Sequence, residues 1–136
     1  MHDKLHPSGW KAAKGYANGI VADGATLFLA GQVGWTADQT FATDDFAEQV
    51  AQALRNIVAI LEEAGAGPEH ITRLTWYVTD KQEYLARLKD VGQAYRAVLG
   101  DHYPAMTLVQ VAALVEDAAK VEIEATAVIP RAAGGP

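Results

Sequence analysis

A chain of 136 residues, half of them hydrophobic, carries enough apolar side chain for one core and is read as one domain over residues 1–136. Its formal charge of −6, with no Lys/Arg cluster to neutralise phosphates, argues against nucleic acid as a partner. The lack of cysteine excludes disulfides, thiolate nucleophiles and cysteine-held metals. No apolar run reaches membrane-spanning length and the first residues lack a signal-peptide core, so we expect a soluble cytoplasmic protein with no membrane partner.

Residues 1–17 read as irregular, interrupted by Pro7, Gly9 and Gly15. The run IVADGATLFLAGQV predicts a hairpin, with Ile20–Ala22 outward, Asp23-Gly24 as the turn and Thr26–Gln32 returning. A loop follows over 33–43. From Asp45 to Ala64, Phe46, Val50, Leu54, Ile57 and Leu61 recur at helical spacing. Asp45 and Glu48 have the spacing of a capping box, and Gly65 is the stop. ITRLTWYVT, residues 71–79, is β-branched and aromatic and reads as a strand. Asp80 caps a second helix, with Glu83 as its reciprocal residue, Tyr84, Leu88, Val91 and Tyr95 as its buried stripe and Gly100 as its end. Residues 106–115 and 120–129 read as two strands joined by the polar turn EDAA. The order β-β-α-β-α-β-β predicts an α+β, two-layer fold, one sheet with two helices on one face.

The other face then needs a cover. Both sides of Met106–Val115 are largely apolar, as in a strand buried on both faces. Two helices cover only one, so the pattern predicts a homo-oligomer. In VEIEATAV, Glu122 and Glu124 point to one side while Val121, Ile123, Ala125 and Ala127 point to the other. Each glutamate either faces solvent, pairs with Lys120, Arg73 or a backbone donor, or works in a cleft; the pattern alone names no reaction. His2, His6, His70 and His102 show no metal-ligand spacing, and GQVG and AGAG lack the lysine and spacing of a phosphate loop.

Four segments carry a family resemblance: GYANGI at 15–20, LFLAGQVG at 27–34, QALRNIVAILEEAGAG at 52–67 and PAMTLVQVAALVEDAAKVEIEATAV at 104–128. In this order they resemble the RidA (YjgF) family of imine/enamine deaminases. The resemblance implies a chorismate-mutase-like fold with a mixed sheet, assembled as a homotrimer with sites in clefts between subunits. It implies hydrolysis of a small-molecule enamine or imine, such as 2-aminoacrylate, to a keto acid and ammonia, with no metal or organic cofactor. By the same resemblance, Glu122 matches the water-binding glutamate, a general base. Tyr16 matches the tyrosine that reaches the cleft, and Gly31, beside Ala30, the glycine whose backbone contacts substrate.

The chain departs from the family where substrate charge is met. The usual strand reads proline, any residue, arginine, and that arginine forks onto the substrate carboxylate; here it reads Pro104, Ala105, Met106. A family cysteine is Leu108 here, and a helix asparagine is Gly92. Three explanations stay open. Another cation enters the cleft, with Lys14 best placed by sequence and His102 and Arg73 behind it; the substrate lacks a carboxylate at that point; or the protein binds a metabolite without turning it over. SGWKAAKGYANG, Trp35 directly after AGQVG, LTWYVTDKQEYL and HYPAM together resemble a subgroup that includes 2-aminomuconate deaminases. For such a flat conjugated substrate Trp10, Trp35 and Trp76 are candidate walls, although a strand tryptophan such as Trp76 equally suits a core. An endoribonuclease, a label also attached to this family, is opposed by the charge of −6.

Overall fold

The computed structural model describes residues 1–131, so the last five residues of the expected 1–136 domain lie outside the described residues. Among the described residues, six strands and three α-helices follow in chain order: β1 (Asp3–Leu5), β2 (Gly19–Val21), β3 (Gly24–Val33), α1 (Phe46–Glu63), β4 (Ile71–Val78), α2 (Lys81–Ala86), α3 (Leu88–Leu99), β5 (Ala105–Gln110) and β6 (Val121–Pro130). Strands β3 to β6 form one mixed sheet of order β3-β6-β4-β5, in which β4 and β5 run parallel and the other pairs antiparallel. The fold is therefore α+β, as the element order predicts.

Helix α1 follows from its sequence. The Asp45 carboxylate accepts the Glu48 backbone N–H at 3.0 Å, and Gly65, with φ +70°, terminates the helix. Val50, Leu54, Ile57 and Leu61 are fully buried against the sheet and α3. The sheet answers with Leu74, Trp76 and Val78 from β4 and Val121, Ile123 and Ala125 from β6. Burying each such aliphatic side chain is worth about 1.5–3 kcal/mol, so this layer contact dominates the stability. Gln49 is buried in the same helix. Its amide donates to the Thr43 and Ala118 carbonyls and accepts the Lys120 N–H, tying α1 to the 111–120 segment.

The structure corrects several expectations. The N-terminal segment is not wholly irregular: Asp3–Leu5 pairs antiparallel with Gly19–Val21. The expected 20–32 hairpin does not form, because β3 pairs along its length with β6 instead. Gly24 makes that possible, since its φ is +152° and a Cβ there would collide with the Ile129 carbonyl. The expected 106–115 strand ends at Gln110. Its neighbour in the sheet, β4, ends at Val78, and the Val111 N–H bonds to the Val78 carbonyl. Nor do 106–115 and 120–129 pair as neighbours, since β4 lies between β5 and β6. Finally, the second helix breaks at Arg87, whose guanidinium reaches Asp45 and Asp90. The break leaves Leu88 half exposed, while Val91 and Tyr95 stay buried as expected.

Candidate active site

Pairing register separates the expected site residues onto two faces of the sheet. Cross-strand partners share a face, and Tyr77 pairs with Glu122, Thr75 with Glu124, and Trp76 with Ile123. Glu122 and Glu124 therefore stand together on the face away from the helices, as their alternation predicts. The Tyr77 hydroxyl donates to Glu124 at 2.9 Å. That bond, first of all, raises the Tyr77 pKa, with burial and the charges of Glu124 and Glu122 adding to it. Glu122 makes no ion pair among the described residues.

Gly31 is held against Glu122. The β3–β6 register shifts between Leu29 and Gln32, so Ala30 and Gly31 form a bulge. A Cβ on Gly31 would lie 2.5 Å from Glu122 Oε2 and 2.9 Å from its carboxyl carbon. The glycine is thus what lets the carboxylate pack onto the β3 backbone. A water bound at this carboxylate would sit on the open face, beside the backbone groups of the bulge.

Tyr16, Met106, Leu108, Gly92 and Lys14 belong to a different place. Met106 and Leu108 pair with Leu74 and Trp76, so they face the helix side, opposite to Glu122. There, at the β5 edge, two adjoining cavities of about 370 and 260 Å³ share Gly15, Trp76, Tyr84 and Met106 and make one groove. Lys14, Tyr16 and Leu108 close one end. Gly92, Arg96 and Tyr103 line the other. The N-terminal segment is held there by the Ala17 N–H, which donates to the Pro104 carbonyl at 3.0 Å, and by the left-handed Gly15, φ +76°. One wall is aromatic: Trp76 stacks on Tyr95, and Tyr95 on Tyr103 with ring centroids 5.2 Å apart. Trp76 is both core and groove wall, and its buried indole N–H has no acceptor among the described residues.

Of the other expectations, Trp35 lies outside the groove, packed on Phe41, with its carbonyl accepting from Asn56. Trp10 is exposed on the N-terminal loop. Among the candidate replacement cations, Lys14 lines the groove. His102 and Arg73 do not, each lining a separate cavity. His102 is half-buried and donates to the Ile71 carbonyl at 2.7 Å. A cavity of about 720 Å³ lined by the 41–44 and 112–120 segments contains none of the expected site residues.

Sequence reasoning missed Arg96. Its guanidinium lies over Gly92: a Cβ at position 92 would stand 3.2, 3.7 and 3.8 Å from Nη1, Nη2 and Cζ. No carboxylate pairs with it among the described residues. The available signal was the one-turn spacing from Gly92, which places both residues on one helix stripe.

Comparison with known proteins identifies the class. Residues 7–129 match the endoribonuclease L-PSP family model. A RutC family protein of Aquifex aeolicus is 36% identical over 115 residues, 83% of this chain and 87% of the relative. A 2-iminobutanoate/2-iminopropanoate deaminase of Salmonella typhimurium is 32% identical over 77% of this chain and 80% of the relative. Among solved structures, the Rid family protein YyfB from Yersinia pestis, of unknown function, superposes with a TM-score of 0.84 at 29% identity, covering 94% of this chain and 98% of that one. Escherichia coli TdcF with bound serine gives 0.68 at 30% identity, covering 87% and 91%. The chain belongs to the endoribonuclease L-PSP family, that of RidA (YjgF), and its fold is the chorismate-mutase-like fold of that family.

Proposed function

We propose that this protein is a hydrolytic deaminase of a reactive imine or enamine. The observation that carries the reading is the Glu122 carboxylate packed on Gly31, without an ion pair among the described residues, on the sheet face that the helices leave uncovered. Relatives named as deaminases, at about 30% identity, support it. An enamine substrate first tautomerises to the imine. Glu122 takes a proton from a bound water as the water oxygen bonds to the C=N carbon, giving a carbinolamine. Glu122 gives that proton to the nitrogen; as the C–N bond breaks, the carbinolamine hydroxyl proton passes to the departing nitrogen, so that ammonia and the carbonyl compound leave with Glu122 again a carboxylate.

The groove and Glu122 lie on opposite faces of one sheet, so one copy does not present both to a single small molecule. A second copy of the chain, laid over the open face, would bring its own groove to this Glu122. We therefore read the working form as the homotrimer of the family resemblance, with Tyr16, Met106 and Leu108 from one subunit facing Glu122 and Gly31 from the next. Phe28, 83% exposed on the open face, supports such a contact. The aromatic wall suits a flat conjugated enamine such as 2-aminomuconate.

The test is ammonia release from enzymatically generated 2-aminoacrylate and 2-aminomuconate, with Glu122→Gln as control. Turnover abolished by Glu122→Gln, with the assembly unchanged in sedimentation, is the expected result; wild-type turnover in the variant overturns the role of Glu122. A second reading, ligand binding without turnover, is favoured by Met106 in place of the family arginine. It predicts no ammonia from either compound. Ribonuclease activity is disfavoured by the charge of −6 and by the two glutamates, Glu122 and Glu124, on the open face.

A further inference from the structure

From the position of Arg96 over Gly92 we infer that Arg96 is the carboxylate anchor of the groove, replacing from helix α3 the arginine that Met106 displaces on β5. With Lys14 at the other end, the groove then selects a linear conjugated dicarboxylate over a monocarboxylate. The inference deepens the deaminase reading and rests on it for the idea that the ligand is a substrate.

Four observations carry it. Arg96 lines the cavity that also contains Met106, the position at which the family arginine would stand. Its guanidinium has no carboxylate partner among the described residues, unlike Arg87, which is committed to Asp45 and Asp90. The guanidinium lies close over Gly92, where a Cβ would stand 3.2 Å from Nη1 and require it to shift by a few tenths of an ångström. Lys14 borders only the adjoining cavity, with Trp76, Tyr84 and Met106 shared between the two. Two cations separated by an apolar, aromatic floor match two carboxylates joined by a flat unsaturated chain. The guanidinium gives a forked pair of charge-assisted bonds and the ammonium a point contact.

The alternative role for Arg96 is purely structural, a cation in the last turn of α3 that favours the helix dipole. Calorimetric titration of the full chain with trans,trans-muconate, its monomethyl ester and its dimethyl ester separates the two. We expect the diacid to bind wild type most tightly and Arg96→Gln to weaken it at least tenfold. Arg96→Lys should recover part of that loss, and Lys14→Gln should erase the preference for diacid over monoester. Gly92→Ala provides the sharper contrast. It should raise the melting temperature, because alanine is the better helix former, yet weaken muconate several-fold by lifting the guanidinium. Unchanged muconate affinity in Arg96→Gln, equal binding of the dimethyl ester, or no binding of muconate by wild type overturns the assignment. Charge-dependent muconate binding without ammonia release from any enamine would leave Arg96 as the anchor and overturn the deaminase instead. Glu122-dependent ammonia release from 2-aminomuconate that Arg96→Gln does not slow would do the reverse.

Discussion

Gly31→Ala isolates the geometry of the proposed water site. A Cβ placed on Gly31 meets Glu122 Oε2 at 2.5 Å, and ordinary contact begins at 3.4 Å, so the carboxylate oxygen must retreat by about 0.9 Å. Misplacing a catalytic group by about 1 Å costs on the order of 100-fold in rate, even when its chemistry is intact. Stability should change little. The atoms that give way are the end of a flexible, half-exposed side chain, and the backbone at Gly31 is not in the left-handed region. We therefore expect kcat for ammonia release to fall about 100-fold, with the melting temperature within a few degrees of wild type, since about 1 kcal/mol corresponds to roughly 3–5 °C at this size. The double variant with Glu122→Gln supplies the control. If Gly31 acts only by seating the carboxylate, adding Gly31→Ala to Glu122→Gln should cost almost nothing more. Wild-type kcat in Gly31→Ala, or full additivity in the double variant, would refute the reasoning.

Two further predictions concern the scaffold. Gln49→Leu removes an amide that makes three bonds to backbone groups of the 43 and 118–120 segments. With those partners left buried, a loss of about 3 kcal/mol or more is expected in urea unfolding, and an unshifted midpoint would refute it. His102 has its pKa lowered by burial first, and also by the nearby charges of Lys4, the N-terminal amine and His2. Its neutral ring is therefore favoured in the folded state. The stability it contributes is complete above the ordinary histidine pKa of about 6.5 and is lost as pH falls through the lower folded value. Melting temperatures measured from pH 8 down to pH 5 should fall in wild type and fall less steeply in His102→Gln; parallel profiles would exclude the assignment.

What the sequence made legible was local. Asp45 as a cap, the Phe46 to Leu61 stripe and the alternation of Glu122 against Ile123 each depend on residues within a turn or two of one another. All three hold in the structure. The failures are non-local. Ile20–Ala22 and Thr26–Gln32 have every mark of a hairpin, but β3 finds its partner about a hundred residues later, where Gly24 meets Pro130. Met106–Val115 reads as one long strand because its composition does not change at Gln110. What ends it is the end of β4, an event in another part of the chain. The site shows the same division. The glutamates and Gly31 were visible as motif residues, but that Met106 and Leu108 face away from them follows only from the β4–β5 register. Arg96 escaped notice because an exposed helix arginine is ordinary; its place over Gly92 in a groove closed by the N-terminal loop is a tertiary fact.

The two-faced arrangement also explains how a family member tolerates methionine where arginine is usual. Met106 is half-buried and packs against the hydrophobic core on the helix side, so a thioether there adds apolar contact and leaves no unpaired charge behind. Glu122 and Gly31 are separated from this exchange by the sheet itself. Their geometry depends on the β3 bulge and the β3–β6 register, neither of which involves β5. Residues that meet the substrate's charge and shape can therefore change without disturbing the carboxylate proposed to activate water. On this reasoning, substitutions at positions 92, 96 and 106 should act on ligand choice, and those at 31 and 122 on turnover of whatever ligand is bound.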